Sequence, residues 1–166
     1  MRRCTLLTIS VTAVTAVGVA ACGGGAKPPT HHKPFKTPKF LEHASLAFGA
    51  FHRFVGTPAH SGVFSSSSSA VRTAARAAMF ASGQLKQASV YAKQNQAERA
   101  LFPALVVLAD KMKSLSATIV GPSSSLPEIN AINESLKRLD AAASARGHHI
   151  PDASASQIAA AGGPHA

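Results

Sequence analysis

The 166-residue chain has no tryptophan, one tyrosine and two cysteines, and aromatic residues make up 5% of it. With so few large rings, a core must be assembled from Leu, Ile, Val and Ala plus eight phenylalanines. Cys4 lies inside an N-terminal apolar stretch and Cys22 directly after it, so a domain that follows has no internal disulfide to draw on. Acidic residues are scarce, seven against seventeen basic, for a net charge of +10. Beyond the N-terminus no apolar run reaches the roughly 20 residues a membrane span requires; the nearest, from Ala100 to Ala109, is interrupted by Pro103. Sustained period-two alternation and Asn-Gly or Asp-Gly turns are missing, which excludes a hairpin-built fold. Also missing are Gly-x-Ser-x-Gly, His-Glu-x-x-His and a phosphate-binding glycine loop.

What is present is clearest at the N-terminus. Arg2 and Arg3 precede an apolar Leu6–Ala20 stretch that ends in the small residues Ala20 and Ala21. A charged start, a short apolar segment and a small-residue cleavage site are the layout of an export signal. Val19-Ala20-Ala21-Cys22 resembles the lipobox of bacterial lipoproteins. The resemblance implies that residues 1–21 are a signal peptide and that Cys22 becomes the first residue of the mature chain. It further implies that Cys22 carries palmitate-type acyl chains and holds the protein on the outer face of the cell membrane. One chain binds a membrane only marginally; two or more anchor it, at about 0.8 kcal/mol per buried CH₂. Two rival readings are an ordinary secretory signal cleaved after Ala21 and a twin-arginine signal, for which Arg2-Arg3 is the sole support.

Without Arg2 and Arg3, fifteen basic residues face seven acidic ones, a net +8. Lys27, Lys33, Lys36 and Lys39 come before any acid, the first being Glu42. Basic clusters can bind nucleic acid, but an exported chain does not meet it. Anionic lipid headgroups or wall polymers are nearer, and a juxtamembrane Lys gains roughly 1 kcal/mol at an anionic surface. The plainer reading is that these lysines keep a linker soluble.

Composition divides the chain into the signal at 1–21, a lipidated Gly/Pro/Lys/His tether at 22–36, a helical domain at 37–150 and a tail at 151–166. The tether contains a glycine run and Pro28, Pro29 and Pro34, part flexible coil and part semi-rigid spacer. Thr37 and Pro38 suit the cap and first position of a helix, followed by an apolar stripe at Phe40, Ala44, Ala47, Phe48, Phe51 and Val55. Gly56, Pro58 and Gly62 are expected to end it. Ser65–Ser69 reads as loop or cap, and a second helix is expected from about Ala70 to Lys93. It has Val71, Ala75, Ala78, Leu85 and Ala92 near one face and Arg72, Arg76, Lys86 and Lys93 outward. Asn95-x-x-Glu98 is a capping-box variant before a third helix, whose Leu101, Leu105, Leu108, Met112, Leu115 and Ile119 form an alternating four–three seam. Pro103 requires that this helix either begin near Phe102 or kink; Gly121 and Pro122 close it. Ser125-x-x-Glu128, with Pro127 in the first turn, opens a fourth helix carrying Ile129, Ile132, Leu136, Leu139 and Ala143, stopped by Gly147. After Pro151 the chain is Ala, Ser and Gly with little to bury, so the tail is expected to be disordered. The expected fold class is all-α: an antiparallel up-down four-helix bundle with a disordered N-terminal tether and a disordered C-terminal tail.

No catalytic residue is assigned. The acids Glu42, Glu98, Asp110, Glu128, Glu134, Asp140 and Asp152 are dispersed; Glu98 and Glu128 read as caps, while Asp110–Lys113 and Glu134–Arg138 have the spacing of surface ion pairs. The eight histidines are the one feature that points to chemistry, since imidazole suits zinc, copper or nickel. Yet adjacent residues such as His31-His32 and His148-His149 diverge, and no Cys or carboxylate stands at ligand spacing. His43 and His52, nine residues apart, project to opposite sides of the first helix, and His52-Arg53 borders solvent. No metal and no cofactor is therefore expected. Ala47, Gly49 and Ala50 would let a neighbouring helix approach closely, with packing as the ordinary reading.

The stretch Phe40–Phe54 resembles small, alanine-rich secreted proteins of actinobacteria, a likeness that implies no activity and transfers no functional residue. The expected role is a non-catalytic, lipid-anchored binding or scaffolding module of the cell envelope, with no nucleic-acid partner and an unspecified protein partner. The alternative is a small-ligand or metal-binding lipoprotein. An enzyme acting on wall polymers would require a concave pocket gathering Glu42, His43 or His52 with a further acid.

Overall fold

The computed structural model describes residues 38–119 and 126–165. The signal at 1–21, Cys22 and its lipidation, the tether at 22–36 with His31-His32, the Thr37 cap, the Gly121-Pro122 stop and the Ser125 half of the fourth capping box lie outside these residues. Every regular element among the described residues is helical: α1 Lys39–Phe51, a π-helical turn His52–Gly56, α2 Thr57–His60, α3 Val63–Ser66, α4 Ser68–Gln94, a 3₁₀ turn Arg99–Leu101, α5 Phe102–Thr118, α6 Leu126–Ser144 and α7 Ala155–Ala160. None is long and apolar enough to cross a membrane.

The apolar stripes govern the packing. All six stripe residues of α1 and its extension are buried, as are all six seam residues around α5 and all five of α6. Burying a Phe, Leu or Ile side chain contributes about 1.5–3 kcal/mol, so these rows carry most of the cohesion. On α4, Val71 and Ala75 are half-buried while Ala78, Leu85 and Ala92 are buried, and Arg72, Arg76, Lys86 and Lys93 face solvent. α4 packs against both α1 and α5; α6 packs against α5, the π turn and α2; α7 packs on α1. The α4–α5 approach is close enough for the buried Ser82 hydroxyl to donate to the Ala109 carbonyl at 2.8 Å.

Four expectations are corrected. First, the opening helix does not stop at Gly56 or Pro58. Pro58 has no N–H for the Phe54 carbonyl, a defect that would break a plain α-helix. The chain instead widens into a π turn, in which the Thr57 N–H bonds to the His52 carbonyl, and the helical path continues to His60 before Gly62 ends it at φ 74°. Pro38 itself occupies the N-cap. Second, Asn95-x-x-Glu98 is not a capping box. Asn95 Oδ1 accepts from the Ala97 N–H, Glu98 is buried, and α5 begins at Phe102. Third, Glu134 pairs with Lys137 at 2.8 Å rather than with Arg138, and Asp110–Lys113 is not among the ion pairs of the described residues. Fourth, the C-terminal segment at 151–165 is ordered. Ser154 and Gln157 form a reciprocal capping box that starts α7, and Ile150, Ala153 and Ile158 are buried. The Ala153 N–H donates to the Ser45 carbonyl at 3.1 Å. Gly49 makes room for this strap: a Cβ there would lie 2.7 Å from the Ala153 nitrogen and closer still to its carbonyl oxygen. At Gly49 the close approach is thus made by the main chain of the strap, while α1 also packs on the neighbouring helix α4.

Candidate functional site

The π turn has a geometric consequence. In a regular α-helix, residues eight apart differ by about 80° around the axis; one inserted residue reduces this to about 20°. His52, at the start of the π turn, and His60, at the end of α2, therefore come to one face, which looks onto α6. They line a cleft of about 510 Å³ with Gly56, Thr57, Ser61, Ile129 and Asn133. π turns inside α-helices recur at functional sites.

Both imidazoles are oriented from behind. His52 Nδ1 lies 2.9 and 2.8 Å from the two carboxylate oxygens of Asp152. His60 Nδ1 lies 2.7 Å from the Gly56 carbonyl oxygen. Carboxylate and carbonyl can only accept, so each Nδ1 carries a hydrogen and donates it. The other nitrogens turn toward two asparagines one turn apart on α6. His52 Nε2 is 3.2 Å from Asn133 Oδ1, and His60 Nε2 is 3.0 Å from Asn130 Oδ1. A charged ring donates to these oxygens. A neutral ring presents a lone pair, which is satisfied when the asparagine amide turns over and offers its NH₂. An imidazole held at Nδ1 by an oxygen acceptor is the outer-sphere arrangement that orients metal-ligating histidines; here a ligand at Nε2 would displace the asparagine that occupies it.

The histidine and acid positions singled out in the sequence separate into distinct settings. His43 faces α4, 2.7 Å from Gln84 and stacked on Tyr91, away from His52 as expected. His52 does not merely border solvent: its side chain is 35% exposed and closed on two sides by Asp152 and Asn133. His148 and His149 diverge as expected, His148 toward Glu98 at 3.7 Å and His149 toward Asp140 at 3.1 Å. Asp140 also accepts from the Ile150 N–H at 2.8 Å. Burial holds Glu98 above the usual carboxylate range, with His148 and a hydrogen bond from Asn95 opposing the shift. Glu128 accepts from the Thr118 hydroxyl at 3.1 Å. Glu134 is lowered by its hydrogen bond and charge pairing with Lys137.

Glu42 is not brought to the cleft. Of the arrangement that would indicate an enzyme, only His52 with a further acid, Asp152, is present. The cleft's Ser61 hydroxyl donates to the Pro58 carbonyl at 3.2 Å and is not engaged by either ring. Among the described residues no three His, Cys, Asp or Glu side chains cluster around one point. Each Nε2 instead meets an asparagine of its own, Asn133 for His52 and Asn130 for His60.

Sequence reasoning missed His60, Asn130, Asn133 and the role of Asp152. The signal that extended the helix was the buried row continuing past Gly56 at Ala59. The His52–Asp152 contact, one hundred residues apart in sequence, had no local signal. No known protein family, curated protein or solved structure matches the chain, so the cleft is read from its own chemistry.

Proposed function

We propose that this chain is a lipid-anchored binding protein of the cell envelope, attached to the outer face of the membrane through acyl chains on Cys22, whose helical domain takes up a small ligand at the His52–His60 cleft. The carrying observation is that an oxygen acceptor anchors each Nδ1 while each Nε2 faces the cleft wall. Two imidazole lone pairs suit a divalent transition-metal ion, the simplest such ligand, or a hydrogen-bond donor. The role is binding, not catalysis: an acid–imidazole pair is present, but its far nitrogen meets an asparagine rather than a nucleophile. The domain is read as an antiparallel up-down bundle of the helix that opens with α1, together with α4, α5 and α6. Supporting this, α4 packs on α1 and α5, and α6 packs on α5 and the π turn.

Two experiments test the two halves. In cell fractionation, Cys22→Ala should move the protein out of the membrane fraction; unchanged retention would refute the anchor. Titrating the full chain with Zn²⁺ or Cu²⁺ should shift the ring resonances of His52 and His60 together, leaving those of His43, His148 and His149 in place. His52→Ala or His60→Ala should each weaken binding by about tenfold or more, as for loss of one of two ligands. Shifts confined to His31, His32 or His165 would refute the cleft.

A further inference from the structure

A second cavity lies on the other flank of α6, against α5. It is lined by Pro103, Ala104, Val107 and Leu108 of α5 and Leu139 and Ala142 of α6. Its volume is about 350 Å³, at the lower end for small-molecule sites. Val107 projects into it 55% exposed, more than Val63, Met79 or Val90, the other exposed large apolar side chains among the described residues. The cavity is polar at one end only. Lys111 Nζ reaches Ser135 Oγ at 3.4 Å, and Arg138 stands within one turn of Ser135; all three line the cavity. Among the described residues neither cation forms a direct ion pair: Glu134 contacts Lys137 and feels Arg138 only as a nearby charge. Pro103, Ala104 and Ala142 make the opposite end uncharged. The groove follows α5 for eight residues, about 12 Å.

We infer that this groove binds a free fatty acid, its carboxylate at Lys111, Ser135 and Arg138 and its acyl chain along Val107, Leu139 and Ala142 toward Pro103. The charge decides the class. Two unpaired cations beside an apolar floor reject an alkyl ammonium and leave a fatty alcohol with only half of the available contacts. A cation gripping a carboxylate forms a charge-assisted bond about twice as strong as a neutral one. The site is independent of the histidine cleft, which lies across α6 from it.

The test uses the full chain carrying Cys22→Ala, so that no acyl group of its own competes. Dodecanoate, dodecanol and dodecylammonium are titrated by calorimetry and by methyl NMR. Dodecanoate should bind about tenfold tighter than dodecanol, dodecylammonium should not bind, and shifts should centre on Val107, Leu108 and Leu139. Lys111→Glu or Arg138→Glu, both at exposed positions, should each weaken dodecanoate about tenfold without altering the melting curve. Ala104→Trp should block the groove while leaving Zn²⁺ and Cu²⁺ titrations unchanged. Equal affinity for dodecanoate and dodecanol, indifference to charge reversal, shifts away from the groove, or preference for an acidic amphipathic peptide would each overturn the inference.

Discussion

α4 and α6 are both long helices of the same small fold, and they do opposite things to the space around them. α4 buries Ala74, Ala77, Ala78, Ala81, Ala88 and Ala92, with Leu85 as its only large fully buried side chain. Such a surface lets main chains approach, as the Ser82–Ala109 hydrogen bond between α4 and α5 shows. α6 buries Ile129, Ile132, Leu136 and Leu139. Branched side chains hold the neighbouring helices off, and an opening lies on each flank: the histidine cleft beside Ile129 and the apolar groove beside Leu139. At the α4–α5 contact small residues let two helices close on each other, whereas beside α6 larger ones stand next to the two openings.

A matched pair of substitutions breaks the comparison most sharply. Ala81→Leu inserts three carbons where the alanine is wholly buried. It should cost about 3 kcal/mol, the upper part of the range for overpacking, or abolish folding. Ala142→Leu makes the same chemical change on the half-buried wall of the α6 groove and should stay within about 0.5 kcal/mol. Urea denaturation of the two variants reads the difference directly; equal midpoints would mean that the helices are equally tight.

Gly49→Ala probes the place where the strap meets the α1 surface most closely. The atoms a Cβ would meet belong to the main chain of Ala153, which cannot rotate away, so the strap at 150–163 must shift. A loss of about 1–2 kcal/mol is expected, within the overpacking range. Amide exchange should accelerate through α7, while α4 and α5 keep their protection. An unchanged melting temperature with α7 still protected would show that the strap is not seated on Gly49.

The legible part of the molecule was periodic and the illegible part was not. The stripes of α5 and α6 repeat at three and four residues and their buried faces followed from that repeat, whereas on alanine-rich α4 the repeat was poorer and Val71 and Ala75 are only half-buried. The π turn is a single inserted residue that periodicity cannot register, and with it His60 and the cleft went unseen. The strap was spelled locally, since Ser154-x-x-Gln157 is a capping box. Its low apolar content concealed that two isoleucines and an alanine suffice when glycine receives them. Glu98 misled because Asn-x-x-Glu reads alike whether the acid caps a helix or is buried beneath one. Asp152 reaches His52 only through tertiary structure.

Glu98 supplies the finest test of the tight side, because it is a carboxyl 2% exposed near the alanine-rich helix end. Burial raises its pKa above the reference 4.5, with His148 opposing. The folded protein therefore holds this proton more firmly than the unfolded chain does. Glu98 accordingly contributes stability that is fully present below pH 4.5 and lost as pH rises through the raised folded value. Glu98→Gln keeps the neutral form at every pH and can retain the bond with Asn95. The difference in unfolding free energy between wild type and variant should thus favour the variant at neutral pH and shrink on acidification toward pH 4.5. His148→Ala removes the opposing charge, so it should extend the window to higher pH. Wild type and Glu98→Gln are compared pairwise so that whatever else titrates in the fold cancels from the difference. A difference that stays constant with pH would mean that the Glu98 carboxyl is solvated as freely in the fold as in the unfolded chain.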